Sequence, residues 1–446
     1  MRGPLAICSL AIAGCIAQPA GVPPLGDEAV TYYRDVKPIL DSRCVDCHQA
    51  GGIAPFALED PQLVSGFASL VEEAVVSRRM PPWLASGACR DYLGDRSLSA
   101  AQIATVRRWS DAGAAIGDPA TEGPPQPFDA NGIQNVDLTL QVPEPFTQRT
   151  DPDDYRCFLI DWPFDRLKYV TGFNAVPGTP EVVHHVVSFV IPPSKVPLFR
   201  GFDADDEGPG YTCFGGPGGQ GDFLSAFSVQ WLSAWAPGTQ GSRFPAGTGV
   251  PIEPGSAIAL QVHYNSLTAG RLPDQSSVQL SVVDSVERIA RVVPFTSPEW
   301  TRLLPDGSGF DDGMLVPAGA KNVRHSITAD FSFLFTLGDE FEIRGAALHM
   351  HEFGTAAHIM KVAPDGSREC ILDIPRWDFA WQSAYWFAEP VIHRPGDRLE
   401  LSCEFDNTAE HQPVYGGVKK PPKDVIWGDT TDDEMCVGVI YIVEPR

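Results

Sequence analysis

Apolar and polar residues alternate, or run together in β-branched stretches, through most of the chain beyond residue 135. VDLTLQV (136–142), RCFLIDW (156–162), EVVHHVVSFVI (181–191), SAIALQVHYN (256–265), HSITADFSFLF (325–335), DRLELSCEF (397–405) and CVGVIYIVE (436–444) all read as strands. Turn signals such as Pro364-Asp365-Gly366 separate them. About 310 residues of such pattern exceed the ~250 residues of one sandwich, so two β-sandwiches are expected, 136–290 and 291–446. The beginning of the chain has a different period. Tyr33, Val36 and Leu40 recur at helical spacing, and Ser99 with Gln102 forms a capping box ahead of Ile103, Val106 and Trp109, with Gly113 to close that helix. Residues 28–117 are therefore expected to form a small all-α domain, giving a mainly β protein with one helical domain in front. Pro/Gly-rich stretches at 16–27 and 118–135 mark the tether and the linker.

Composition supports short strands and many turns: of 446 residues, 42 are Gly and 41 are Pro, with 43% hydrophobic. The net charge of −24 makes nucleic acid and anionic lipid poor partners. Arg2 precedes an apolar run, Leu5 to Ile12, too short to span a bilayer. Ile12-Ala13-Gly14-Cys15 resembles a bacterial lipobox, in which Cys15 would become a lipidated N-terminus; a plain signal peptide is the alternative. Residues 1–15 are thus read as an export signal. The expected location is a bacterial membrane facing the periplasm or exterior, where cysteines can pair.

Cys44-Val45-Asp46-Cys47-His48 is a C-x-x-C-H signature for covalent haem c, with thioethers on Cys44 and Cys47 and His48 as proximal iron ligand. With 10 Cys and 10 His in the chain, about 0.005 such matches arise by chance. Between 28 and 120 the one other histidine or methionine is Met80, in RMPPW, which makes it the candidate second axial ligand; core filling is its alternative. The segments CVDCHQAGGIAPF, RMPPW and DRSLSAAQIATVRRWSDAGA together resemble small bacterial cytochrome c domains fused to larger enzymes.

The remaining chemistry lies in His184-His185, His263, His349-Met350-His351 and Met435. Each is weak alone, since an adjacent pair or H-x-H arises by chance about 0.2 times in such a chain. On a strand His349 and His351 share a face, whereas His184 and His185 should point to opposite faces unless a bulge or strand end re-aims one. Gln261, His263 and Asn265 share a face too, which a solvated sheet surface would equally explain. A soft thioether beside imidazoles suits Cu(I).

In order and spacing, Tyr155-x-Cys157 followed by VVHH, AWAPGT, LQVHYN, LHMHEFG, CEFDNT and DEMC resemble the copper type II, ascorbate-dependent monooxygenases. This is the family of peptidylglycine α-hydroxylating and dopamine β-monooxygenases, and the resemblance spans about residues 136–446. It implies two jelly-roll-like sandwiches and two copper ions. His184, His185 and His263 would hold the electron-storing copper; His349, His351 and Met435 would hold the catalytic, dioxygen-binding copper. It further implies hydroxylation of a substrate C–H bond with ascorbate as reductant; the haem motif on the same chain adds the expectation that electrons from a periplasmic donor are relayed through the fused haem. The family pattern pairs Cys157 with Cys213 and Cys403 with Cys436, leaving Cys89 and Cys370 unassigned.

Where the peptide-amidating relatives place an arginine, an asparagine and a tyrosine to anchor a substrate carboxylate, this chain has Ala347, Val437 and Val439. A small apolar or aromatic substrate is expected instead. Asp432, Asp433 and Glu434 read as a solvated loop, with attraction of a cation as the alternative. The rival reading is a non-catalytic haem/copper electron-transfer or copper-handling protein. A haem gas sensor is weaker, because Met80 would fill the sixth position.

Overall fold

Strand Ala257–Asn265 shows why the apolar runs are continuous. It pairs antiparallel with Asp153–Asp161 on one side and Val183–Ile191 on the other, and all but its last residue are buried. With no solvent face left, nothing selects alternation. Val323–Ala329 is the opposite case: it pairs with Arg398–Phe405 at the edge of a four-stranded sheet, and its residues alternate between half-buried and exposed.

The structure is a computed structural model that describes residues 29–50, 54–213, 216–219, 229–236, 241–266, 269–305, 309–330, 340–415, 418–428 and 430–444. The export signal, Cys15 and the whole of the tether lie outside them. A 15-stranded sheet dominates. Its spine runs Tyr92–Leu93, Tyr385–His393, Phe341–His349, Val437–Val443, Arg288–Phe295, Gln230–Trp235, Val183–Ile191, Ala257–Asn265, Asp153–Asp161 and Tyr211–Thr212. Strands from both sides of residue 290 thus share one hydrogen-bonded surface. At its middle, pairing between Arg288–Phe295 and Gln230–Trp235 falls to a single residue pair, Val292 with Trp231. The four-stranded sheet, in the order Val323–Ala329, Arg398–Phe405, Gly354–Val362, Arg368–Ile374, backs the later half.

The expected all-α cytochrome c domain is not there. Among the described residues 14% are helical, short π and 3-10 segments included, and the α-helices are five and short: α1 (Lys37–Arg43), α2 (Pro61–Gly66), α3 (Ala68–Val76), α4 (Ala100–Asp111) and α5 (Val196–Asp205). The capping box of α4 is present, with Ser99 Oγ accepting from Gln102 N–H at 3.2 Å and Gln102 Oε1 accepting from Ser99 N–H at 2.9 Å. α1, α3 and α4 pack around Val36, Val71, Val106 and Trp109. Between α3 and α4, however, the chain leaves the helices and joins the β core. Leu84, Ala85 and Tyr92 are buried with Phe341, Tyr385 and Phe387, Tyr92–Leu93 pairs with Trp386 and Phe387, and Cys89 is disulfide-bonded to Cys370. Helical periodicity fixes local conformation only, and the aromatic run RMPPWLASGACRDYL found its apolar partners on the sheet.

All three expected or unassigned cysteine pairs are disulfides: Cys157–Cys213, Cys403–Cys436, and Cys89–Cys370, the last left unpaired by the family pattern.

Candidate metal centre

His185 faces His263 across the Val183–Ile191/Ala257–Asn265 ladder, but the next residue, Tyr264, faces Val183. His184 is therefore the extra residue of a β-bulge, which releases it from strict alternation. That resolves the difficulty of two adjacent strand histidines on opposite faces. The His184 and His263 Nδ1 atoms come to 3.3 and 3.4 Å from His185 Nδ1, and the ligand atoms of all three lie within 4.8 Å of one another. Nitrogens about 2.0 Å from one ion at tetrahedral to trigonal angles stand roughly 3.3–3.5 Å apart, so the spacing fits a metal.

The rings are held from behind. Tyr155 stacks on His263 at 4.1 Å with 7° between planes, and Phe379 stacks on His184 at 4.9 Å. Asp153 Oδ1 accepts from His263 Nε2 at 2.9 Å, which leaves Nδ1 to face the other two rings. Burial pushes His184 down to about 3 and His185 well below its ordinary value, with neighbouring His263 adding to both. The His184 and His185 imidazoles are neutral, as metal binding requires. Burial would raise the Asp153 carboxyl, but hydrogen bonds from His263, Thr431 and Asn265 hold it at about 2.

His349 ends strand Phe341–His349 and His351 follows two residues later, on the same side, with ring centroids 5.0 Å apart. Met350 between them is fully buried in the opposite direction, in the core beneath. His349 Nδ1 donates to Gln382 Oε1 at 2.6 Å and His351 Nδ1 to the Asp433 carbonyl at 3.1 Å, so neither Nε2 atom is used by these contacts. Gln382 is itself oriented, its Nε2 donating to the Phe379 carbonyl at 3.1 Å. Burial lowers both histidine pKa values, His351 strongly. Met435 lines the same cavity as the two rings.

Glu434 is fully buried, which corrects its reading as part of a solvated loop. Its oxygens accept from the backbone N–H groups of His351 (2.9 Å), Phe353 (2.7 Å) and Met435 (3.0 Å). Burial pushes its carboxyl up to about 8, against those donors.

The two sets lie close together, with the His185 and His349 ring centroids 6.5 Å apart. His185 of the first set and all of the second border one cavity of about 300 Å³, where His185, His349, His351 and Met435 meet Val187, Phe189, Trp231, Val292, Ala347, Val437 and Val439. It lies over the part of the sheet where pairing is reduced to Val292 with Trp231. Trp83 and Leu93, from the segment between α3 and α4, also line it. Arg96 is the single Arg or Lys among the described lining residues, and it is hydrogen-bonded to the Cys47 thiol.

Cys44 and Cys47 are free thiols, and burial raises the pKa of both, Cys44 to about 12. His48 Nδ1 donates to the Phe56 carbonyl at 2.9 Å, leaving Nε2 unused by that contact. Met80 lines a separate cavity of about 410 Å³ with Val75, Leu84, Leu98 and Ile103; among its described lining residues are none of Cys44, Cys47 and His48.

Sequence reasoning missed Asp153, Gln382, Phe379 and the anchoring role of Glu434. Asp153 carried a signal, standing two residues before the Tyr-x-Cys motif and opposite Asn265 of QVHYN. Gln382 and Phe379 sit in an irregular stretch with no periodicity to read.

Residues 307–444 match the family model of the copper type II ascorbate-dependent monooxygenase C-terminal domain, the stretch that carries His349, His351 and Met435. No curated relative matches the chain. Among solved structures, the major capsid protein P2 of bacteriophage PM2 is 10% identical over 69% of this chain and 99% of that chain, at a TM-score of 0.24. The tandem CBM22 domain of Paenibacillus barcinonensis Xyn10C is 8% identical over 63% of this chain and 79% of that one, at 0.18. Superpositions this loose inform neither fold nor function.

Proposed function

We propose that the protein is a copper-dependent monooxygenase that hydroxylates a C–H bond of a small apolar or aromatic substrate with dioxygen. The observation that carries this reading is the cavity that His185 of the first set shares with His349, His351 and Met435, in a chain whose residues 307–444 match the monooxygenase C-terminal domain. Bound copper would supply the one-electron chemistry that dioxygen needs, drawing electrons from ascorbate or another donor. His184, His185 and His263 would hold one ion; His349 and His351 Nε2 with Met435 would hold the other. Two units are proposed on this basis, 136–290 and 291–446, each contributing one set.

The cavity walls do the rest. Val187, Phe189, Trp231 and Val292 desolvate the substrate and keep bulk water from the reacting bond. Ala347, Val437 and Val439 offer no partner to a carboxylate, and Arg96, the one Arg or Lys among the described lining residues, is engaged with the Cys47 thiol, so a charged peptide terminus beside those three residues would cost several kcal/mol. About 300 Å³ lies at the small end of ligand sites, suited to a single ring or a short alkyl chain.

Covalent haem at Cys44, Cys47 and His48 is a further part of the proposal. It is supported by the motif, by two free thiols in a chain whose other described cysteines are all paired, and by a proximal histidine with Nδ1 already engaged. Electron transfer from it toward the first copper set belongs to the same proposal. Export and a lipid on Cys15 are proposed likewise, and three disulfides accord with an oxidising compartment.

The test is dioxygen uptake by the copper-loaded protein with a reductant and a panel of small aromatic, amine and alkyl compounds, beside Met435→Ala. Substrate-dependent uptake with a hydroxylated product, lost in the variant, is expected. Copper binding without coupled uptake would instead support the electron-transfer reading.

A further inference from the structure

The two ligand sets come from segments far apart in sequence, yet one side chain touches both a ligand of the first and the loop that carries Met435 of the second. Asp153 begins strand Asp153–Asp161 and pairs in register with Asn265, two residues beyond His263. Its Oδ1 accepts from His263 Nε2 at 2.9 Å and from Asn265 Nδ2 at 2.8 Å. Its Oδ2 accepts from Thr431 Oγ1 at 2.8 Å. Thr431 is buried and lies four residues before Met435, in the same loop whose Asp433 carbonyl receives His351 Nδ1–H. A continuous polar path therefore runs from the His263 ring through one carboxylate to the loop that carries Met435 and orients His351.

We propose that Asp153 is a positioning residue that couples the two sets, fixing the His263 ring with one oxygen and the Met435 loop with the other. This rests on the copper reading above. A carboxylate is suited to the task because it accepts on both oxygens, and here all three donors are satisfied at once. An amide has a single acceptor oxygen, so Asp153→Asn can keep one side of the link at most, and its NH2 would face a donor on the other. The geometry also assigns the His263 ligand atom: with Nε2–H given to Asp153, Nδ1 faces His184 and His185.

Three near-isosteric variants test the link: Asp153→Asn, Thr431→Val and Thr431→Ser. Copper affinity of the first set is read by competition titration, and thioether coordination at Met435 by X-ray absorption. The Met435 methyl and His263 ring NMR signals of the metal-free protein give a readout that needs no copper.

Asp153→Asn should weaken the first set by about 10-fold or more and also perturb the Met435 signals. Thr431→Val should perturb Met435 and leave first-set affinity within about twofold, whereas Thr431→Ser, which keeps the hydroxyl, should resemble the parent. The coupling is overturned if Asp153→Asn alters His263 alone, or if Thr431→Val leaves the Met435 methyl where it was. Failure of the parent protein to bind copper would defeat the functional reading instead, and the metal-free NMR comparison would still decide the link.

Discussion

The two histidine sets are built from different materials. The first sits within three paired strands: His263 and His185 face each other across a ladder, a one-residue bulge turns His184 toward them, and three nitrogens converge. The second depends on one strand end and two irregular segments, 375–384 for Gln382 and 430–435 for Met435, with Glu434 tying backbone N–H groups together. Ladder hydrogen bonds place the first, and Tyr155, Phe379 and Asp153 hold its rings. The second is only as rigid as its anchors, which suits the site expected to meet dioxygen and substrate beside an open cavity.

That contrast predicts where damage will be felt. The largest effect should come from Cys403→Ser with Cys436→Ser, which unties strand Arg398–Phe405 from the residue next to Met435. A loss of about 2–5 kcal/mol is expected in denaturant melts, with copper lost from the second set and kept by the first. Equal loss from both sets would break the comparison. Glu434→Ala comes next, because it orphans three buried backbone donors. Roughly 2–4 kcal/mol should be lost, again with second-set binding failing first, as metal titration would show.

Gln382→Leu removes the acceptor of His349 Nδ1–H together with the hydrogen bond from Gln382 Nε2 to the Phe379 carbonyl. Second-set copper affinity should fall by about 10- to 100-fold with little change in melting. An unchanged affinity would mean that His349 is held by packing alone.

The smallest effect concerns acid. His184 is held neutral by burial, with a folded pKa near 3, below its unfolded value near 6.5. Its contribution is full above about pH 6.5 and is lost as pH falls toward 3, because the unfolded chain takes up the proton first. Metal-free protein should therefore weaken between pH 6.5 and 5.5. His184→Gln should shrink that loss by about 1 kcal/mol in melts at the two pH values, and an unaltered pH slope would show that His184 titrates normally.

The difference between the sets also marks what could be read from the sequence. Strand periodicity identified the strands that carry His185 and His263, and the family resemblance grouped Met435 with His349 and His351, which line one cavity. The bulge at His184 was foreseen only as a condition, because register shifts leave no periodic trace. The helical beginning misled for a related reason. Its caps were legible, since they are local, as the Ser99/Gln102 box confirms. The docking of Trp83 and Tyr92 against Tyr385, at 5.1 and 5.7 Å, and the Cys89–Cys370 bond are contacts between residues nearly 300 positions apart. Nothing in a short window encodes them. Gln382 was illegible too, because its role depends on where an irregular segment happens to pass.

The most direct test of the central claim is single-turnover oxidation of a small aromatic substrate by the copper-loaded, reduced protein under isotopically labelled dioxygen. The account predicts a hydroxylated product carrying one labelled oxygen atom, absent with His351→Ala. Oxidation of the copper with no labelled product from any apolar substrate would contradict it.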